Sequence, residues 1–145
     1  LGDAVIEILV NVISLQAAGF PMPPEVKGGV PWKDLMKARV RYQDMMLVAD
    51  FPEEITERAG QIVKLSGFML PLESDLKQHR FLLTSNPPTC FFHVPGGPAG
   101  AVEVFATEGI EVAWGPVVLE GRFEPQQKSE VGVIYRLHDA RLVSP

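Results

Sequence analysis

Gln61–Pro98, QIVKLSGFMLPLESDLKQHRFLLTSNPPTCFFHVPGGP, decides the fold. It reads as a hairpin that runs into a Pro/Gly-rich loop carrying the single cysteine of the chain. Period-2 spacing puts Val63, Leu65 and Met69 on one strand face and Lys64 and Ser66 on the other. The pattern returns: Val63, Leu65, Gly67, Met69 and Pro71 recur as Val117, Leu119, Gly121, Phe123 and Pro125. Polar connections follow each proline, ESDLKQ and then QQKSE, and Phe81 and Leu83 fall at the same offset as Tyr135 and Leu137. A glycine inside a strand marks a bend, a bulge or a close backbone approach, and a small barrel needs such corners to close. Pro71 and Pro125 end their strands because proline has no N–H for the ladder.

Working outward, five strands are expected at about 61–70, 79–85, 101–106, 116–124 and 131–138, with 140–143 extending the last. The reading is all-β, a five-stranded OB-like barrel with short N-terminal helices. GIEVAWG, residues 109–115, holds the place where such barrels carry a helix and has room for one turn. The organisation expected is an N-terminal apolar helix and Pro-rich linker over 1–30 and the barrel domain over 31–145. The 145 residues suffice for one domain with its own core. A net charge of -5 excludes the basic stripe of a nucleic-acid surface, so no nucleic-acid partner is expected.

Before the barrel, DAVIEILVNVISLQ carries Asp3, Glu7, Asn11 and Ser14 as a polar stripe at helical spacing. It is too short to span a bilayer, has no basic n-region and carries Glu7 in its middle. It is expected to dock on its own barrel or on a second copy, forming a homodimer. Prolines 21, 23 and 24 favour an extended linker. A short helix is expected after Pro31, in WKDLMKARV, while RYQDMMLVA fits helix or strand. Asp50, Pro52 and Glu53 suggest a capped helical turn through EEITERA that stops at Gly60.

Chemistry concentrates in one place. Asn86-Pro87-Pro88 takes the chain off the sheet, and Val94-Pro95-Gly96-Gly97-Pro98 turns it back. Between these breaks lie Cys90, Phe91, Phe92 and His93, an apolar triplet ending in an imidazole, expected to cap one barrel end with a ligand-binding rim. The alternative uses Cys90 and His93 as C-x-x-H for metal or redox chemistry, with His79 and His138 converging as further ligands. Glu53, Glu54 and Glu57 read as a solvated helix face, and Glu73 and Asp75 as a hairpin connection. No G-x-S-x-G, H-E-x-x-H or P-loop is present, so no catalytic residue, metal site or cofactor is assigned. Trp32, Trp114, Phe91 and Phe92 read as core before they read as an aromatic groove.

Trp32 and Leu35, Gly60, Val63, Gly67-Phe68-Met69, Pro71-Leu72, Phe81–Leu83 and Cys90 match a W-x-x-L opening, a G-x-x-V-x-x-x-G-[FY]-M-x-P-L strand, an F-L-L strand and a Cys-containing loop. Over Trp32–Val143 the chain resembles a family of exported bacterial proteins, domain of unknown function 3299. It departs from that pattern in having no lipobox cysteine near its start and in carrying Phe91-Phe92-His93 and then GGPAG after Cys90. The resemblance implies a periplasmic or otherwise extracytoplasmic protein, associated with a transport system, and no activity. The function expected is a non-catalytic binding or adaptor module for a protein or small ligand, the alternative being metal or redox handling by Cys90 and His93.

Overall fold

The computed structural model describes residues 23, 25–87 and 97–144. In chain order these form α1 (Trp32–Leu35), β1 (Arg39–Gln43), β2 (Met46–Asp50), α2 (Glu53–Thr56), β3 (Ile62–Pro71), β4 (Lys77–Thr84), a single 3-10 turn (Pro98–Gly100), β5 (Ala101–Glu111), β6 (Val117–Pro125), β7 (Lys128–Ser129) and β8 (Tyr135–Ser144). Five of the strands close a barrel in the order β3-β4-β5-β8-β6. All neighbours are antiparallel except β5 and β8, which run parallel through Glu103↔Arg136 and Val104↔Leu137. This is the OB-like barrel expected from the strand spacing.

The repeated pattern is a real pseudo-two-fold in the barrel. The two repeat strands pair with each other, Val63↔Gly121, Leu65↔Leu119 and Gly67↔Val117. Each then pairs with its own hairpin partner in the same register, Met69↔Leu83 and Pro71↔Phe81 in one half, Phe123↔Leu137 and Pro125↔Tyr135 in the other. A Cβ on Gly67 would lie 2.8 Å from both the Leu83 side chain and the Thr84 carbonyl oxygen. A Cβ on Gly121 would lie 2.8 Å from the equivalent atoms, the Leu137 side chain and the His138 carbonyl oxygen. Both glycines are therefore corners where one backbone crosses close to the next. At Gly67, β3 changes partner, from β6 over Ile62–Gly67 to β4 over Phe68–Pro71.

The inward positions Val63, Leu65, Met69, Phe81, Leu83, Val102, Val104, Val117, Leu119, Phe123, Tyr135 and Leu137 make one continuous core. Its open end is plugged by α1 and α2. Pro31 starts α1 in extended geometry, and Trp32 and Leu35 fall on its buried side. The Tyr135 hydroxyl, deep in the barrel, donates to the Leu35 carbonyl at 2.6 Å, and the Trp32 indole N–H donates to the Ser66 carbonyl at 2.6 Å. Two buried hydrogen bonds thus bolt a single helical turn to the barrel. α2 adds Ile55, fully buried, and ends before Gly60, whose φ of +79° suits glycine.

The structure differs from the sequence reading in four places. β1 and β2 form a hairpin, joined by β7 into a three-stranded sheet that packs Ala49 onto the barrel core. Its turn, Asp44-Met45, has both residues at positive φ, 51° and 67°. Asp50 does not cap α2: Pro52 holds that position, and the Asp50 carboxylate accepts from Arg41 at 2.7 Å across the hairpin. The segment expected as a helical turn in GIEVAWG instead continues β5 to Glu111 and then loops. Finally, β8 starts at Tyr135 rather than Val131, because Gly132 at φ 85° turns the chain just before it.

Candidate functional site

Cys90, Phe91, Phe92 and His93, the expected ligand-binding residues, lie outside the described residues. The two histidines considered as further metal ligands are placed, each beside a different carboxylate. His79 sits near Glu73 (3.9 Å), and its backbone N–H donates to the same carboxylate at 2.7 Å. His138 stacks on Phe105, ring centres 5.3 Å apart, and shares a hydrogen bond with Glu124 at 3.1 Å. No group of three or more His, Cys, Asp or Glu able to hold a metal occurs among the described residues. The two tryptophans separate as well: Trp32 is core and Trp114 is 85% exposed.

Glu73 and Asp75 belong to a turn built by Gln78, which is fully buried. Its carbonyl oxygen accepts from the N–H groups of Leu72 and Glu73, both at 3.1 Å, and its amide donates to the carbonyls of Glu73 (3.0 Å) and Asp75. Every hydrogen-bonding position of that side chain is used on backbone, which makes the connection a scaffold. On the outer barrel face, Glu103 is buried between Arg80, which donates from Nε at 2.8 Å and Nη2 at 2.5 Å, and Arg136, which donates from Nε at 3.0 Å. This carboxylate spans β4, β5 and β8 where β5 and β8 share only two paired positions, and it works as a stitch at the barrel's shortest ladder.

A different picture holds where the segment before α1 meets β3. Gly29 bridges Lys64 in parallel, and the Val30 N–H donates to the Lys64 carbonyl at 3.0 Å. The strap so formed and the outer face of β3 border an open cavity of about 480 Å³, within the range of small-ligand sites. Val26, Val30 and Pro31 give its lining apolar surface, and Arg58, Lys64 and Ser66 are also in its wall. Lys33 and Asp34 from α1 and the exposed Glu25 complete the charged lining.

Two polar atoms in that lining have no hydrogen-bond partner. They are the Ser66 hydroxyl and the Arg58 Nη1, each exposing less than 1 Å². Ser66 as a whole is 6% exposed, and its carbonyl is already taken by Trp32. Arg58 Nη1 approaches Asp34 at 3.5 Å without hydrogen-bond geometry, and Asp34 is shared with Lys37 at 3.3 Å. A buried polar group left unmade costs about 1–3 kcal/mol, which singles out Ser66 and Arg58 among the residues of this lining. Only the alternation of Lys64 and Ser66 to the outer face was visible in sequence. The strap that covers them comes from residues more than thirty positions away.

The model of the DUF3299 family, described as a protein of unknown function, matches residues 32–143, and the chain belongs to that family. The crystal structure of a DUF3299 family protein from Pseudomonas aeruginosa PAO1 is similar, with 23% identity and a TM-score of 0.52 over 67% of this chain and 68% of that one. That likeness is one of fold. No curated protein matches the chain.

Proposed function

We propose that this family member is a non-catalytic extracytoplasmic binding module, and that its ligand enters the cavity between the strap and β3. The observation that carries the reading is the pair of buried, unpartnered polar atoms, Ser66 Oγ and Arg58 Nη1, in the wall of a cavity of about 480 Å³. A binding site needs a mostly apolar wall with a few placed polar groups, and the strap and β3 supply both. Gln78 and Glu103 are internally satisfied and read as scaffold, and the other buried unpartnered atom among the described residues, Ser85 Oγ, is not in this wall. The extracytoplasmic placement rests on the exported character that the family resemblance implies.

The test is a thermal-shift screen of the full chain against small metabolites, repeated on Gly29→Val. A Cβ on Gly29 would stand 3.0 Å from the Lys64 and Val26 carbonyl oxygens, so Gly29→Val forces the strap away from β3 and distorts the cavity between them. Ligands that stabilise the wild type but not this variant support the reading, provided the unliganded variant still melts cooperatively. Ligands that stabilise both equally move the site elsewhere. Stoichiometric zinc binding abolished by Cys90→Ser would replace the proposal with the metal reading. Fractionation of the producing cell tests the compartment separately.

A further inference from the structure

The chemistry of the cavity wall narrows the ligand class, given that the cavity is the binding site. The nitrogen Nη1 of Arg58 only donates, so the partner it lacks is an acceptor. The Ser66 hydroxyl, also unpartnered, donates to the same kind of group. Charge agrees with this. Lys33, Arg58 and Lys64 stand against Glu25 and Asp34 in the lining. Asp34 already has Lys37 at 3.3 Å in addition to Arg58, and Glu25 is on the exposed rim. The surplus in the wall is therefore cationic and donor-rich.

The rest of the lining is of opposite character. Val26, Val30 and Pro31 offer hydrocarbon, and Trp32 has spent its one N–H on the Ser66 carbonyl, so that its ring offers only apolar surface. A ligand that satisfies both has an anionic oxygen head and a short apolar body. We infer that the cavity takes a small amphipathic monocarboxylate, its carboxylate accepting from Arg58 and Ser66 and its hydrocarbon lying against Val26, Val30 and Pro31. Since bulk water does not reach either donor, binding includes a side-chain rotation that turns them onto the ligand. An anionic oxygen is preferred over a neutral one because a charge-assisted hydrogen bond is about twice as strong.

The experiment uses hexanoate, hexanamide and hexylamine, which share one body and differ in the head. Two tryptophans are present, so a Trp114→Phe background leaves Trp32 as the reporter, and calorimetry gives the stoichiometry. Hexanoate is expected to bind saturably at one site, with hexanamide at least about tenfold weaker and hexylamine unbound. Arg58→Gln and Ser66→Ala should each weaken hexanoate, whereas Arg58→Lys and a rise in pH up to 8 should preserve most of it. Lys64→Gln, on a half-buried side chain, checks the charge independently if Arg58→Gln fails to fold. Equal or tighter binding of hexanamide or hexylamine, displaced by Gly29→Val, overturns the anion assignment while leaving the cavity as the site. No binding of any of the three also overturns the assignment, and the metabolite screen then decides the cavity reading on its own. Hexanoate binding that Arg58→Gln, Lys64→Gln and Gly29→Val all leave untouched refutes both.

Discussion

Replacing Gly67 or Gly121 by alanine probes the barrel corners with a single carbon. At both sites that carbon would sit 2.8 Å from a neighbouring strand's carbonyl oxygen and 2.8 Å from a leucine Cγ. Ordinary carbon contacts begin near 3.4 Å, and the obstructing oxygen belongs to backbone, so the strands themselves must part. Overpacking a close-packed core costs about 1–3 kcal/mol. The gain in strand propensity on leaving glycine offsets less than about 1 kcal/mol of that. A net loss of about 1–2 kcal/mol is expected for each variant, or about 3 °C of melting temperature per kcal/mol at this chain length. Because the obstructing atoms are equivalent in the two halves, the two losses should agree within about 0.5 kcal/mol. Gly115 has no heavy atom within 4 Å of its Cβ position, and Gly115→Ala serves as the neutral control. Urea denaturation of the three variants gives the answer. Midpoints for Gly67→Ala and Gly121→Ala equal to that of Gly115→Ala would refute the corner argument, and with it the pseudo-two-fold as a packing constraint.

Tyr135→Phe removes the short buried hydrogen bond to the Leu35 carbonyl, which keeps only the longer one from the Ala38 N–H at 3.4 Å, and should cost about 0.5–1.5 kcal/mol in urea titrations, with no change in secondary structure. Met45, 96% exposed at φ 67°, is an unfavoured turn residue, so Met45→Gly should stabilise by about 0.5–1 kcal/mol; a lower melting temperature would show that the side chain has a partner. Burial raises the Glu124 pKa, but the hydrogen bond from Gln126 and the charges of His138 and Arg136 outweigh it and hold the carboxyl below its ordinary value of 4.5. A depressed pKa favours the folded state above the unfolded value and that contribution is lost as pH falls through the folded one, so Glu124→Gln should lower stability at pH 6 to 8, where the contribution is fully present, and flatten the further loss below about pH 4. Equal acid limbs for variant and wild type would remove Glu124 from the acid response.

The barrel was legible because its demands fall at short range in the sequence. Alternation placed Val63, Leu65 and Met69 inward, and the recurrence of Gly and Pro at equal offsets forecast two hairpins of one register. The W-x-x-L pair was legible as a motif and not as a mechanism: Trp32 and Leu35 are the two ends of the plug, each tied to the barrel by one buried hydrogen bond. The β1–β2 hairpin escaped notice for two reasons. Four of the five β1 side chains are exposed, so the strand has no clear alternation to read. Its turn uses Asp44-Met45, which lacks the glycine that usually announces such a hairpin. The Asp50 cap failed because the carboxylate had a competing partner, Arg41, that only the folded hairpin supplies.

The cavity could not have been read from local sequence, yet it follows from the topology. A five-stranded barrel that closes on its first strand requires that strand to serve two neighbours. β3 does so by bending at Gly67, which gives Ile62–Gly67 to β6 and Phe68–Pro71 to β4. The first half therefore has a second edge that β4 does not cover. Its Lys64 carbonyl is met by the Val30 N–H, and its Ser66 carbonyl by the indole of Trp32. These are two single contacts where a strand would have supplied a ladder, so the strap touches the edge without packing flush against it. The space left over is the cavity, and the side chains it meets are the outward residues of the alternation, Lys64 and Ser66. Closing the barrel at Gly67 thus opens a lined gap beside it. The residues that build the closure are constrained by backbone contact, while the side chains of Arg58, Lys64 and Ser66 face the gap's lining beside Asp34.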